Sequence, residues 1–125
     1  MNDRYLFKAK RVDNGKWEQG YYYQIWENGY ILWGMTNDVP NMIEVDVSTL
    51  CQCTGLKDKN GKLIWKNDIV KINNSKVNVL ITFRDFEIIC TIPSEKYYKH
   101  RLEYDTEYEV IGNIFDNPEL LESEE

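Results

Sequence analysis

The chain has 125 residues, which fits one small domain with a modest core and leaves little room for a second. Its 42% hydrophobic content includes 9 Tyr, 4 Trp and 4 Phe, and no run approaches the ~18 apolar residues that span a bilayer. The net charge of −6 is lopsided: Glu103 to Glu125 holds nine acids and no Lys or Arg, so 15 bases meet 12 acids before it, a balance of +3. An acidic end of that density repels nucleic acid and reads as a solvated segment, 103–125, of a single domain spanning 1–125.

The apolar pattern has mostly period two, the mark of strands with one buried face. Arg4 to Ala9 predicts a first strand, and Asp13-Asn14-Gly15-Lys16 a turn into the aromatic strand Trp17 to Trp26. Glu27-Asn28-Gly29 is a second Asn-Gly turn, leading into Tyr30-Ile31-Leu32-Trp33. Gly34 to Asn41, with Asn37, Asp38 and Pro40, reads as a loop. Ile43, Val45 and Val47 then alternate with Glu44, Asp46 and Ser48, and Thr49 to Thr54 extends to another short strand.

A third Asn-Gly turn, Lys59-Asn60-Gly61-Lys62, separates Thr54-Gly55-Leu56 from Leu63-Ile64-Trp65. Strands follow at Asp68 to Ile72, Val77 to Phe83, Phe86 to Ile92 and Tyr108 to Gly112, with Asn73-Asn74-Ser75 and Arg84-Asp85 as turns. Glu95 to Tyr104, after Pro93-Ser94, is the best helix candidate. Asn117 to Leu121 suits one helical turn, with Pro118 in its first position. Many short strands with frequent turns predict a mostly β domain: a partly open or closed barrel, SH3-like in part by analogy, with one or two short helices.

Thr54-Gly55-Leu56-Lys57-Asp58-Lys59-Asn60-Gly61-Lys62-Leu63-Ile64-Trp65-Lys66-Asn67-Asp68-Ile69-Val70 is the most distinctive run. Physically it is a scaffold. Gly55 and Gly61 permit unusual backbone angles, Asp58 and Asn60 can hydrogen-bond their own turns, and Leu56, Ile64, Ile69 and Val70 suit a core. The block resembles the central motif of the YopX family, T-G-L-x-D-x-x-G-x-x-I-(aromatic)-x-x-D-I-V. Thr54, Gly55, Leu56, Asp58, Gly61, Ile64, Trp65, Asp68, Ile69 and Val70 are the matching positions. The opening Arg4 to Ala9 with Trp17 and the ending Val110-Ile111-Gly112-Asn113-Ile114-Phe115-Asp116-Asn117-Pro118-Glu119-Leu120-Leu121 are similar to that family's two ends. Asn73 to Tyr104 matches little. The resemblance implies a β-rich protein encoded by a phage or prophage, of uncharacterised role, and it brings no catalytic residues.

Candidate chemistry is sparse. Cys51 and Cys53 share one face of a strand, but with only Cys90 and His100 beside them they lack a standard zinc spacing, so no metal or cofactor is expected. His100, among Lys96, Lys99 and Arg101, has no nucleophile motif to serve. The pairs Glu44/Asp46 and Asp58/Asp68 lack a visible cleft, and turns explain the second pair more simply. No Gly-rich phosphate loop is present, and an enzyme is not expected. The opening Met1-Asn2-Asp3-Arg4-Tyr5 has no apolar signal-peptide stretch, which predicts a reducing compartment for the cysteines and a cytosolic protein; the family resemblance implies that the cytoplasm is that of a bacterial host.

Two functional classes remain. Aromatic-rich strands, with Tyr21-Tyr22-Tyr23 facing both ways, favour a protein-interaction or structural module that self-associates or meets a host or phage protein, away from membranes. The alternative is a small barrel binding single-stranded nucleic acid through Lys57, Lys59, Lys62, Trp65 and Lys66, a basic turn with one aromatic.

Overall fold

A computed structural model describes residues 5–72, 78–84, 87–91, 99–101 and 107–121. Among them run β1 (Phe7–Arg11), β2 (Trp17–Ile25), β3 (Asn28–Thr36), β4 (Val39–Lys57), β5 (Leu63–Trp65), β6 (Asp68–Ile72), β7 (Asn78–Arg84), β8 (Glu87–Thr91), β9 (Lys99–Arg101) and β10 (Tyr108–Asn113), closed by a 3-10 turn at Pro118–Leu121. The mostly β expectation is met, and that turn is the expected short helical piece. Contacts divide the chain into two compact units, Met1–Cys53 and Thr54–Glu125.

In the first unit the strands form a ring. β1 pairs with β2, β2 with β3, β3 with β4, and β4 returns to β1, all antiparallel. One long strand serves two neighbours because it bulges: Lys8 pairs with Cys51 while Lys10 pairs with Asp46. Thr49 fills the bulge, its hydroxyl donating to the Asp46 carbonyl at 2.7 Å and accepting the Lys10 N–H at 2.8 Å. The interior is small, built of Ala9, Ile31 and Val45 with Phe7, Tyr22, Ile43 and Leu50 packed against them.

Two turns differ from the sequence expectation. The β2–β3 tip is Trp26-Glu27, because Ile25 pairs with Asn28 and the Asn-Gly pair lies inside β3. Gly29 is needed there for close approach: a Cβ on it would meet Val47 Cγ1 at 2.5 Å and the Tyr22 hydroxyl at 2.8 Å. The expected loop Gly34 to Asn41 is a hairpin instead. Thr36 pairs with Val39 across Asn37 and Asp38, whose φ angles of 52° and 64° suit the two-residue turn that matches strand twist. Pro40 drew the loop reading, yet it pairs with Met35 inside the sheet.

The second unit holds a sheet of order β10-β6-β7-β8-β9. Ile64, Val70, Val79, Ile81, Cys90 and Tyr108 form its buried cluster, with Leu56, Ile72, Ile88 and Val110 around it. The helix expected over Glu95 to Tyr104 is overturned where residues are described, since Lys99, His100 and Arg101 pair with Thr91, Cys90 and Ile89. Local capping signals cannot register the backbone partners that β8 offers along its edge. Residues 95–98 and 102–104 of that segment lie outside the described residues, as does the expected turn Asn73-Asn74-Ser75.

All three cysteines carry buried thiols, and burial pushes the Cys90 thiol up to about 12. Thiolate is the reactive form, so burial disfavours attack at all three, and at Cys90 ionisation disfavours it as well. Labelling the native protein with a maleimide at pH 7 is expected to be slow at Cys51, Cys53 and Cys90, with all three reacting promptly once denaturant unfolds the chain. Mass spectrometry of the adducts against time measures both phases.

Candidate functional site

The basic turn is built on Asp58. Its Oδ1 accepts the N–H groups of Asn60 and Lys62, both at 2.9 Å, and its Oδ2 accepts the Val110 N–H at 3.0 Å. The Asp58 N–H donates to the Lys62 carbonyl at 2.7 Å, and the Lys59 N–H to the Tyr108 carbonyl at 2.9 Å. Gly61 closes the turn at φ 80°, a region that other side chains resist. Burial alone would raise the Asp58 pKa, but the amides of Val110, Lys62 and Asn60, with the Lys62 charge, outweigh it and lower the value.

The rest of the motif is structural in the same way. The Thr54 hydroxyl donates to the Ile64 carbonyl at 2.7 Å and accepts the Leu56 N–H at 3.1 Å. Asp68 Oδ2 accepts the Trp65 N–H at 2.8 Å across a turn in which Asn67 takes φ 74°. Both Asp58 and Asp68 are buried, holding backbone amides. The turn reading of that acid pair accounts for both.

This local order rearranges the predicted binding set. Lys57, Lys59 and Lys62 are exposed and Lys66 is half-buried around the turn. Lys59 Nζ lies 3.8 Å from Glu109 Oε1, which offsets part of the positive field. Trp65 is 4% exposed, so its ring cannot stack on a base, and it drops out of the candidate surface. A lone Trp beside lysines looks like a stacking platform in sequence; packing turned it inward.

A second surface lies on the first unit. Register sets which side chains share a face. Tyr21 pairs with Leu32 and Leu32 with Met42; Tyr23 pairs with Tyr30 and Tyr30 with Glu44; Ile25 pairs with Asn28. These rows form the outer face. Tyr22, paired with Ile31, points the other way and packs on the core, its ring centroid 5.8 Å from that of Phe7. Tyr21, Tyr23, Ile25 and Met42 are between 39% and 53% exposed, while Tyr30 and Leu32 are half-buried between them. The three-tyrosine run was the signal for this face, although the candidate residues chosen from sequence lay elsewhere.

Among the described residues no group of His, Cys, Asp and Glu side chains is arranged to hold a metal ion. Of the pair Glu44/Asp46, Asp46 is engaged in the bulge: its Oδ1 accepts the Ser48 hydroxyl at 2.7 Å and the Ser48 N–H at 3.0 Å, which lowers its pKa. No described helix is long and apolar enough to cross a membrane.

Compared with known proteins, residues 6–122 match the model of a family described as YopX protein, nearly the whole chain. No curated protein matches it.

Asp58→Asn puts an amide where three N–H groups require an acceptor, and is expected to cost about 2–3 kcal/mol at pH 7. Because the native pKa lies below the unfolded value of about 3.9, this stabilisation is present above that pH and is lost as pH falls through the native pKa. Urea unfolding from pH 7 to 2.5 is therefore expected to bring wild type and Asp58→Asn together at the acid end.

Proposed function

The chain belongs to the YopX family, and on that premise we propose a non-enzymatic protein-interaction or structural module that self-associates through the outer face of β2, β3 and β4. The observation that carries this reading is the apolar surface of Tyr21, Tyr23, Ile25, Tyr30, Leu32 and Met42 on one sheet face. Contiguous apolar patches of this kind mark association sites, and tyrosines contribute contact area at low entropy cost because they have few rotors. The face carries little charge, with Glu44 at its margin, so desolvating it on contact with an identical face strands few charges.

The setting that fits is the cytoplasm of a bacterial host carrying the phage or prophage, where a host or phage protein is the other class of partner. Asp46, Asp58 and Asp68 each accept backbone N–H groups, which supports a structural reading of those three carboxylates. Single-strand binding by the basic turn is less well supported, because the turn has no exposed ring to stack on and Lys59 faces Glu109.

Sedimentation equilibrium of the full chain is expected to give a mass above the 14.9 kDa monomer at micromolar concentration. Tyr23→Lys with Met42→Lys, both at exposed positions, is expected to return it to monomer without loss of the β circular-dichroism signal. A sharp monomer for the unaltered chain at all concentrations overturns the proposal. Salt-dependent retention on single-stranded DNA, lost in Lys59→Glu with Lys62→Glu, favours the nucleic-acid alternative.

A further inference from the structure

β7 is paired on both edges, with β6 and with β8, and its two sides have different surroundings. Val79 and Ile81 belong to the buried cluster of the second unit. Asn78 and Leu80 alternate with them and point to the other side, which Ile69, the partner of Leu80, shares. Ile69 is wholly buried although it is no part of that cluster. The 3-10 turn Pro118–Leu121 lies against β7 on this second side, where the Leu120 carbonyl accepts a hydrogen bond from Asn78 Nδ2 at 2.8 Å.

The chain leading into that turn is firmly held. The Ile114 N–H donates to the Asn67 carbonyl at 3.1 Å, and Asn113 Oδ1 accepts the N–H groups of Phe115 and Asp116 at 2.9 and 3.0 Å. Asn113 and Asn117 bond reciprocally: the Asn117 N–H donates to the Asn113 carbonyl at 2.8 Å, and Asn117 Oδ1 accepts the Asn113 N–H at 3.3 Å. Gly112 permits that closeness, since a Cβ there would meet Asn117 Oδ1 at 2.5 Å. Beyond Asn117 the hold weakens. No residue of Pro118–Leu121 is buried. Asn78 Oδ1, beside the bond that docks the turn, is shut from water with no hydrogen-bond partner among the described residues. That cost falls on the docked arrangement and disappears when water returns to the amide.

We propose that Pro118–Leu121 is a lid that swings off β7 while the sheet stays folded, pivoting at Asn117 and latched by Asn78. Its opening uncovers Leu80 on the second side of β7. The pivot falls at Asn117 because the bonds before it anchor the chain to β10 and to Asn67, whereas the turn after it buries nothing. Segments with few buried contacts are the ones that open locally, without global unfolding. A 3-10 turn of 4 residues does not persist alone, so leaving β7 also breaks the bond from the Leu120 N–H to the Asn117 carbonyl, 3.1 Å long when closed. This motion belongs to the second unit and is independent of the association proposed for β2 to β4.

Native-state hydrogen exchange on the full chain reads the lid through the Leu120 N–H, and the sheet through those of Ile114 and Val110. Leu120 is expected to exchange about 100-fold faster than the other two, at a rate that low urea leaves unchanged because a local opening exposes little surface. Asn78→Asp keeps the shape, removes the donor and sets a carboxylate where an acceptor already lacks a partner. In that variant Leu120 is expected to exchange like an unstructured amide, while Ile114 and Val110 stay protected. Maleimide labelling of Leu80→Cys is expected to quicken about tenfold when Asn78→Asp is added. Equal exchange of the three amides in the unaltered chain, or a Leu120 rate that climbs steeply with urea, overturns the lid. So does a loss of protection at all three together in Asn78→Asp. A Leu120 rate that Asn78→Asp leaves unchanged overturns the latch, and unchanged labelling of Leu80→Cys overturns the uncovering.

Discussion

The carboxylate of Asp58 is the contact on which the second unit depends most. It gathers two N–H groups of its own turn and one from Val110, 52 residues away. β10 lies at the end of the sheet order, with β6 on one side only. Its other side is met by the turn, through the Val110 N–H on Asp58 and the Tyr108 carbonyl on Lys59. An open edge of this kind would otherwise present bare backbone groups to any passing strand. The same contact keeps Tyr108 in place within the buried cluster of Ile64, Val70, Val79, Ile81 and Cys90. One ionised group therefore closes a turn, protects an edge and anchors a core residue, and its lowered pKa records that work.

A different constraint governs the first unit. Four strands close into a ring around few side chains, and small barrels leave little interior to fill. Some inner positions accordingly carry small residues, with Ala9 buried on β1, Gly20 on β2 and Gly29 on β3, beside the larger Ile31 and Val45. The bulky aromatics of β2 have nowhere to go but out, apart from Tyr22, which reaches the core beside Phe7. Tyr21 and Tyr23 are exposed because their register positions face outward, and Trp26 because it sits at the hairpin tip. That surplus apolar surface is available to a partner without any cost to the unit's own packing.

Around Thr54 to Asp68 the buried hydroxyl and carboxylates answer specific backbone amides and carbonyls. Such positions tolerate little change of chemistry, because each lost acceptor strands a buried donor. On the outer face of β2 to β4, Tyr23, Ile25 and Met42 are exposed, so substitution there disturbs the fold less. The turn that holds the second unit and the proposed association face thus lie in different stretches of one small chain.

Much of this was legible in the residues alone. Period-two alternation located most strands, Asn60-Gly61 marked its turn, and Gly55, Asp58 and Asp68 read as framework because turns need positive φ angles and short polar side chains. Those are local requirements, written in neighbouring residues. Tertiary structure alone decided that Trp65 is buried, that Tyr22 and not Tyr21 turns inward, that Lys99 to Arg101 joins β8, and that the hairpin tip falls on Trp26 instead of Asn28-Gly29. Each depends on register or on a partner strand distant in sequence, and a one-residue slip reverses every face. The sequence by itself determined which segments extend and where the scaffold motif lies; only pairing determined which aromatic residues face solvent.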